Sequence, residues 1–114
     1  MGFIIKILAV AVAVYLTAHL LPGVVLRDVQ TAVIVALVLA VFNAIVKPVL
    51  VVLTLPITIL TLGLFLLIIN IIIVKLADYF IDGFAVHGWL TALLFSFIVS
   101  FISAVITKIV GGKN

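Results

Sequence analysis

Two groups of polar and helix-breaking residues interrupt an otherwise apolar chain of 114 residues. The first comprises Asn43, Lys47, Pro48, Thr54, Pro56, Thr58, Thr61, Gly63 and Asn70, centred on the stretch "VKPVLVVLTLPITILTLGLF". Thr54, Thr58 and Thr61 follow i, i+4, i+7 spacing, which sets three hydroxyls on one helical face, with Lys47 on that face one heptad earlier. The second comprises Ser96, Ser100, Ser103 and Thr107, which also share a face. Hydroxyls and amides at such spacing bond helices together or satisfy interrupted backbone, and around a water path they line a pore. Packing is the plainer reading of both groups; a pore lining is the sharper reading of the Ser96 face.

Neither group makes a catalytic apparatus. The chain has no cysteine, and its three acidic residues, Asp28, Asp78 and Asp82, fall between apolar runs. No Ser-His-Asp, Cys-His or paired-carboxylate arrangement can be assembled from them, so the chain reads as a non-enzyme. His19 and His87 stand without a carboxylate partner, so neither a metal site nor a cofactor is expected. A net charge of +3, carried by scattered single residues, argues against a nucleic-acid partner.

The elements that hold these residues must sit in lipid. With 69% hydrophobic and 8% charged residues and a mean hydropathy of +1.76, the chain carries more apolar surface than a soluble domain of this size can bury. Four stretches are long enough to cross a bilayer: about 3–21, 29–47, 57–77 and 89–110. They form one transmembrane domain over 1–114. The first holds a single charge, Lys6, in what would be an n-region, and its apolar run is longer than a signal-peptide h-region, so it reads as a span rather than a cleaved leader. Membrane lipids are the expected surroundings and partners.

Between Pro48 and Gly63 lie 14 residues, about 21 Å as helix, too short to cross alone. The segment 48–63 is expected to be broken near Thr54 to Pro56, because proline removes a donor and disfavours helix at the residue before it. A re-entrant or interfacial course is preferred over simple extension of spans two and three, since it keeps Lys47 near headgroups. Asn43 and Asn70 are placed to bond the broken backbone.

Lys6, Lys47, Lys108 and Lys113 fall on one side of the expected topology. Arg27, Lys75 and the aspartates fall on the other. The positive-inside rule then puts both termini in the cytoplasm, with Lys75 snorkelling outward and Tyr79, Phe80 and Trp89 in an outer aromatic belt.

Displacing the chain by 60 residues lays "PGVVLRDVQTAVIVALVLAVFNAIVK" over "DGFAVHGWLTALLFSFIVSFISAVIT" without a gap, matching Gly23 to Gly83, Thr31 to Thr91, Ala32 to Ala92 and Ala44 to Ala104. The fold expected is therefore all-α, with four transmembrane helices as two tandem parallel hairpin repeats about an axis along the membrane normal. The turns "GVVLRD" and "GFAVHG" should meet around that axis. Small residues recur at Ala9, Ala13 and Thr17 and at Ala32, Ala36, Ala40 and Ala44, which suits close packing. Span three has no such stripe and is expected to face lipid.

The run "NAIVKPVLVVLTLPITILTLGLFLLIIN", with its N-x-x-x-K-P, T-L-P-x-T and L-T-L-G-L-F pieces, resembles the signature of the bacterial superfamily IV phage-holin-like membrane proteins, which include the YvlD type. The resemblance extends to the "PGVVL" and "DGFAV" turns. It implies a small four-span inner-membrane protein and carries no catalytic residues. Chromosomal proteins without a lysis role share the pattern, so membership speaks to class more than to activity. The favoured function is a non-lytic envelope or lipid-interacting component. The alternatives are an oligomeric holin-like pore and a small transporter or channel. Homo-oligomers are expected in each case, because four short spans enclose little interior.

Overall fold

The computed structural model describes residues 2–111; Lys113, counted above with the basic residues, lies outside them. The order of elements is α1 (Gly2–Leu20), β1 (Val24–Leu26), α2 (Val29–Val41), a π turn (Phe42–Val46), α3 (Lys47–Leu53), α4 (Leu55–Leu60), α5 (Phe65–Phe80), β2 (Phe84–Val86) and α6 (Trp89–Gly111). Three helical stretches are long and apolar enough to cross a membrane: Gly2–Leu20, the 25-residue run Val29–Leu53, and Trp89–Val110. At 16 residues, α5 is equally apolar but shorter.

The helical path departs from the expected 48–63 segment. Residues 48–53 continue the second helix, and only 54–64 form the connection. Pro48 does not break the helix because the π turn just before it absorbs the misfit. The Lys47 N–H bonds back to the Phe42 carbonyl, five residues away. This wider turn accommodates a proline that has no N–H for the Ala44 carbonyl and whose ring would crowd it. The break falls at Thr54, whose backbone leaves the helical region at φ −103°, ψ 12°. Pro56 then opens α4, where its missing donor is not needed. Leu62 (φ 57°) and Gly63 (φ 89°) turn the chain into α5, so that helix starts later than the span expected from residue 57.

Helix α1 runs between α2 and α6 and packs closely on both, while α5 packs on α6 and more sparsely on α2. The close contacts use the small residues of α1 and α2, with Ala9, Ala13, Thr17, Ala32 and Ala36 all buried. The Thr17 hydroxyl is spent within its own helix, donating to the Ala13 carbonyl at 2.6 Å. The expectation that span three faces lipid is corrected. Helix α5 buries Ile69, Ile71, Ile73, Val74 and Ala77 against the core. Its lack of a small-residue stripe reflects larger side chains at the contact, not a missing neighbour.

At one end of the bundle β1 and β2 pair antiparallel, with Val25 opposite Ala85. Arg27 donates its N–H to the Gly83 carbonyl at 2.7 Å, and His87 donates to the Gly23 carbonyl at 2.8 Å. Antiparallel pairing turns every second residue's backbone groups outward, and for Val86 the outward groups meet α5. The Asp78 carboxylate accepts its N–H at 2.9 Å, and the Lys75 ammonium donates to its carbonyl at 2.8 Å. Lys75 is thus tied to the ribbon and to Asp78, 3.7 Å away, rather than snorkelling free. Tyr79, Phe80 and Trp89 are exposed near this end.

Asp28 caps α2. Its extended backbone (φ −163°) lets the carboxylate accept the Thr31 N–H at 2.8 Å and the Thr31 hydroxyl at 2.7 Å. The Thr31 hydroxyl bond, then the Thr31 backbone bond, hold the Asp28 carboxyl below its ordinary value of 3.8, with Arg27 adding to the effect.

Two outcomes follow. A two-stranded ribbon is marginal alone, so Lys75→Met should lower thermal stability in detergent by about 1–2 kcal/mol, and Asp78→Asn should speed amide exchange at Val86; an unchanged melting point and exchange rate would show the clip to be idle. A carboxyl whose pKa is lowered by folding stabilises above its unfolded value and loses that contribution as pH falls through the folded value. Wild-type stability should therefore fall below about pH 4 by an increment that Asp28→Asn, titrated in parallel, lacks.

Candidate functional site

At the ribbon end the bundle is filled. Val14, Val35 and Phe95 are fully buried there, and Thr17, Ala77 and Ala92 pack the same layer with no exposure. At the other end, where α1 begins and α6 finishes, the helices enclose a cavity of about 850 Å³. The alanine stripe of α2 shows the transition. Ala32 and Ala36 are buried between helices, Ala40 is half-buried and Ala44 is exposed, and from Ala36 onward these residues line the cavity.

The walls differ in chemistry. Ile7 and Val10 of α1, Leu39 of α2, Val74 of α5 and Phe95 and Val99 of α6 form an apolar inner part. Ser96, Ser100, Ser103 and Thr107 form a hydroxyl strip on α6, facing Asn43 of the π turn and Asn70 of α5. Lys6 of α1, Lys47 of α3 and Lys108 of α6 also line it, and among the described residues no carboxylate does. The Ser96 hydroxyl is committed to the Leu93 carbonyl at 2.9 Å. Among the described residues, the side chains of Asn43, Asn70, Ser100, Ser103 and Thr107 make no hydrogen bond to protein, so they are free to meet a guest or water. Positive charge, unpaired donors and an apolar interior suit an anion with an apolar portion. No nucleophile–base pair lines the cavity.

The structure divides the first group of candidates. Asn43, Lys47 and Asn70 join the Ser96 strip at the cavity, whereas Pro48, Thr54, Pro56, Thr58, Thr61 and Gly63 do not line it. The expected bonds from Asn43 and Asn70 to the broken backbone are not formed. Thr61 does part of that work, accepting the Phe65 N–H at 3.2 Å. The Thr54 hydroxyl donates to the Leu50 carbonyl at 2.7 Å and the Thr61 hydroxyl to the Ile57 carbonyl at 3.0 Å, each a second bond to a carbonyl that already accepts the same threonine's backbone N–H. A threonine one turn away from a break reaches it more readily than an amide on another helix. The Thr58 hydroxyl is buried without a hydrogen-bond partner among the described residues.

Lys6 and Lys108 belong to the site but were not among its sequence candidates. Their signal was available, since both sit on the same side as Lys47 in the expected topology. His19 packs edge-on against Tyr15 at 4.5 Å, and among the described residues no three His, Cys, Asp or Glu side chains gather.

Comparison with known proteins agrees with this architecture. The family described as "Mycobacterial 4 TMS phage holin, superfamily IV" matches residues 1–105. The chain is 38% identical over 84 residues to "Uncharacterized membrane protein YvlD" of Bacillus subtilis, covering 73% of this chain and 71% of that one. It is 38% identical over 112 residues to "Uncharacterized protein SCO3922" of Streptomyces coelicolor, covering 90% of each. No solved structure matches it. A match over nearly the whole chain, with helices apolar enough to span a bilayer, makes this protein a member of the superfamily IV phage holin family of membrane proteins.

Proposed function

We propose that this protein is a non-lytic, lipid-interacting component of the bacterial inner membrane, crossing it four times with both termini cytoplasmic. The observation that carries this reading is the blind shape of the cavity. Its lining stops at Val10, Ala36, Val74 and Phe95, and side chains with no exposure fill the bundle beyond. A pore needs a continuous polar path. Here the polar strip ends against Phe95.

The fourth span is α5, about 24 Å long at 16 residues, which tilt or local thinning fits to a ~30 Å core. Orientation follows from Lys6, Lys47 and Lys108 at one end and Arg27 with the three aspartates at the other. The connection 54–64 is interfacial in this arrangement, with Leu60 and Leu62 at 82% and 94% exposure turned to lipid.

Tandem repetition is part of the same reading, and the ribbon supports it. Val25 pairs with Ala85, its own counterpart 60 residues on, as a two-fold axis through the ribbon requires. The bonds Arg27 to Gly83 and His87 to Gly23 exchange under the same displacement. Seven pairs of cavity residues also differ by 60: Val10 and Asn70, Ala36 and Ser96, Leu39 and Val99, Ala40 and Ser100, Asn43 and Ser103, Ala44 and Ala104, Lys47 and Thr107. The cavity then lies on the axis. Homo-oligomers are also proposed, the exposed apolar flanks of the helices offering the contact.

The holin-like pore is the second reading, favoured by the exposed Ser100 on the lining. It requires the layer of Val14, Val35 and Phe95 to part. Liposomes holding the purified protein at known copy number decide between the two. Potassium and proton gradients should decay no faster than in protein-free liposomes, for wild type and for Ser100→Leu alike. A wild-type leak removed by Ser100→Leu would establish the pore and overturn the sealed reading.

A further inference from the structure

From the cavity we infer a binding site for a single anionic amphiphile: a phosphate-bearing head on Lys6, Lys47 and Lys108, and an apolar chain lodged between α1, α2 and α6. The inference rests on the lipid-interacting reading above and gives it an address and a ligand class.

Three features point to this occupant. The lysines come from three different helices and line one space with no carboxylate among the described residues to neutralise them. Like charges lining one opening repel one another, and an anion bound among them relieves that repulsion. Lys47 adds a geometric point, since it begins α3 directly after the π turn and is half-buried rather than fully extended into solvent. Second, Ser103 is 9% exposed, lines the cavity, and makes no hydrogen bond to protein among the described residues. It stands with Asn43 and Thr107 as a donor for ester or phosphate oxygens next to the lysines. Third, the space beyond these polar groups is walled by Ile7, Leu39, Val74, Phe95 and Val99. A simple inorganic ion would leave that apolar half empty. An uncharged lipid would leave the lysines unpaired. Only a molecule with both parts uses the whole lining, and 850 Å³ falls within the roughly 300–1,000 Å³ typical of single-ligand sites.

The location is also reachable. Asn43, Ala44, Ser100 and Ala104 are exposed members of the lining, so the cavity is open beside small side chains rather than sealed inside the bundle. An amphiphile in the adjoining leaflet can place its head at the lysines without crossing the hydrocarbon core.

The test uses the full chain in phosphatidylcholine nanodiscs titrated with spin-labelled lysophosphatidylglycerol. Saturable binding of one probe per chain is expected, with spin-labelled lysophosphatidylcholine at least tenfold weaker. Lys47→Gln should weaken the anionic probe about tenfold, the scale of one lost charge-assisted contact, while Lys47→Arg retains binding and Arg27→Gln at the ribbon end has no effect. Ala40→Phe, which fills the cavity without touching its charge, should also weaken binding about tenfold. Non-saturable partitioning, or equal affinity for the choline probe, would overturn the site. Competition by inorganic phosphate at comparable affinity would overturn the amphiphile in favour of a free anion. Full binding in Ala40→Phe would overturn the placing of the chain in the cavity. Absence of binding in protein whose liposomes stay tight refutes this site alone, whereas leaking liposomes refute the non-lytic reading alone.

Discussion

In hydrocarbon an unpaired backbone N–H or carbonyl costs several kcal/mol, and each departure of this chain from α-helix is arranged around that penalty. Pro48 would orphan a carbonyl inside the second helix, and the π turn from Phe42 to Val46 reroutes the bonding so the helix continues. At Thr54 the helix does end; the backbone N–H groups of Thr54 and Thr61 close the last turns on Leu50 and Ile57, and the Thr61 hydroxyl takes up the Phe65 N–H at the start of α5. At the ribbon, two three-residue strands satisfy each other, and the outward groups of Val86 are met by Lys75 and Asp78 of α5. The charged pair, the threonines and the prolines, which read along the chain as unrelated oddities, answer one requirement.

The ribbon also decides how the helices splay. It joins the α1–α2 and α5–α6 hairpins at one end, where small residues let α1 approach α2 and α6 closely and Phe95 fills what space is left. Among the described residues no such tie exists at the other end, where the second helix runs on through its π turn and the connection 54–64 leads away before α5 returns. The bundle is consequently packed at the ribbon and hollow opposite it. Glycine is required at the ribbon's corners: Gly23 and Gly83 hold φ of 95° and 87°, and a Cβ on Gly83 would come within 3.0 Å of the Arg27 side chain.

Membership of a holin family and a cavity closed at one end belong together without contradiction. The family match runs over residues 1–105, and the stretch Asn43 to Asn70 within it contains the π turn, the break and one wall of the cavity. The same residues that build a kinked second helix turn Asn43 and Lys47 toward the space shared with the Ser96 strip. A cation-lined recess closed at one end needs this geometry as much as a pore does, and the two differ only in whether the layer at Phe95 is shut.

Lipid as solvent, the three long helices, the break at Thr54, the meeting of the two glycine turns and the grouping of lysines at one end were all legible in the chain. Each depends on local composition or on charge counted along it: an apolar run, a proline, a glycine or a lysine acts where it stands. The π turn was not legible, because a proline inside a helix can either break it or be absorbed, and packing chooses. The burial of α5 was misread for a similar reason, since isoleucine and valine serve lipid and protein interfaces equally well. The cavity belongs to tertiary structure alone. Its existence depends on the distances among four helices and on the summed volumes of side chains as far apart in the chain as Lys6 and Lys108, and no periodicity within one helix carries that sum.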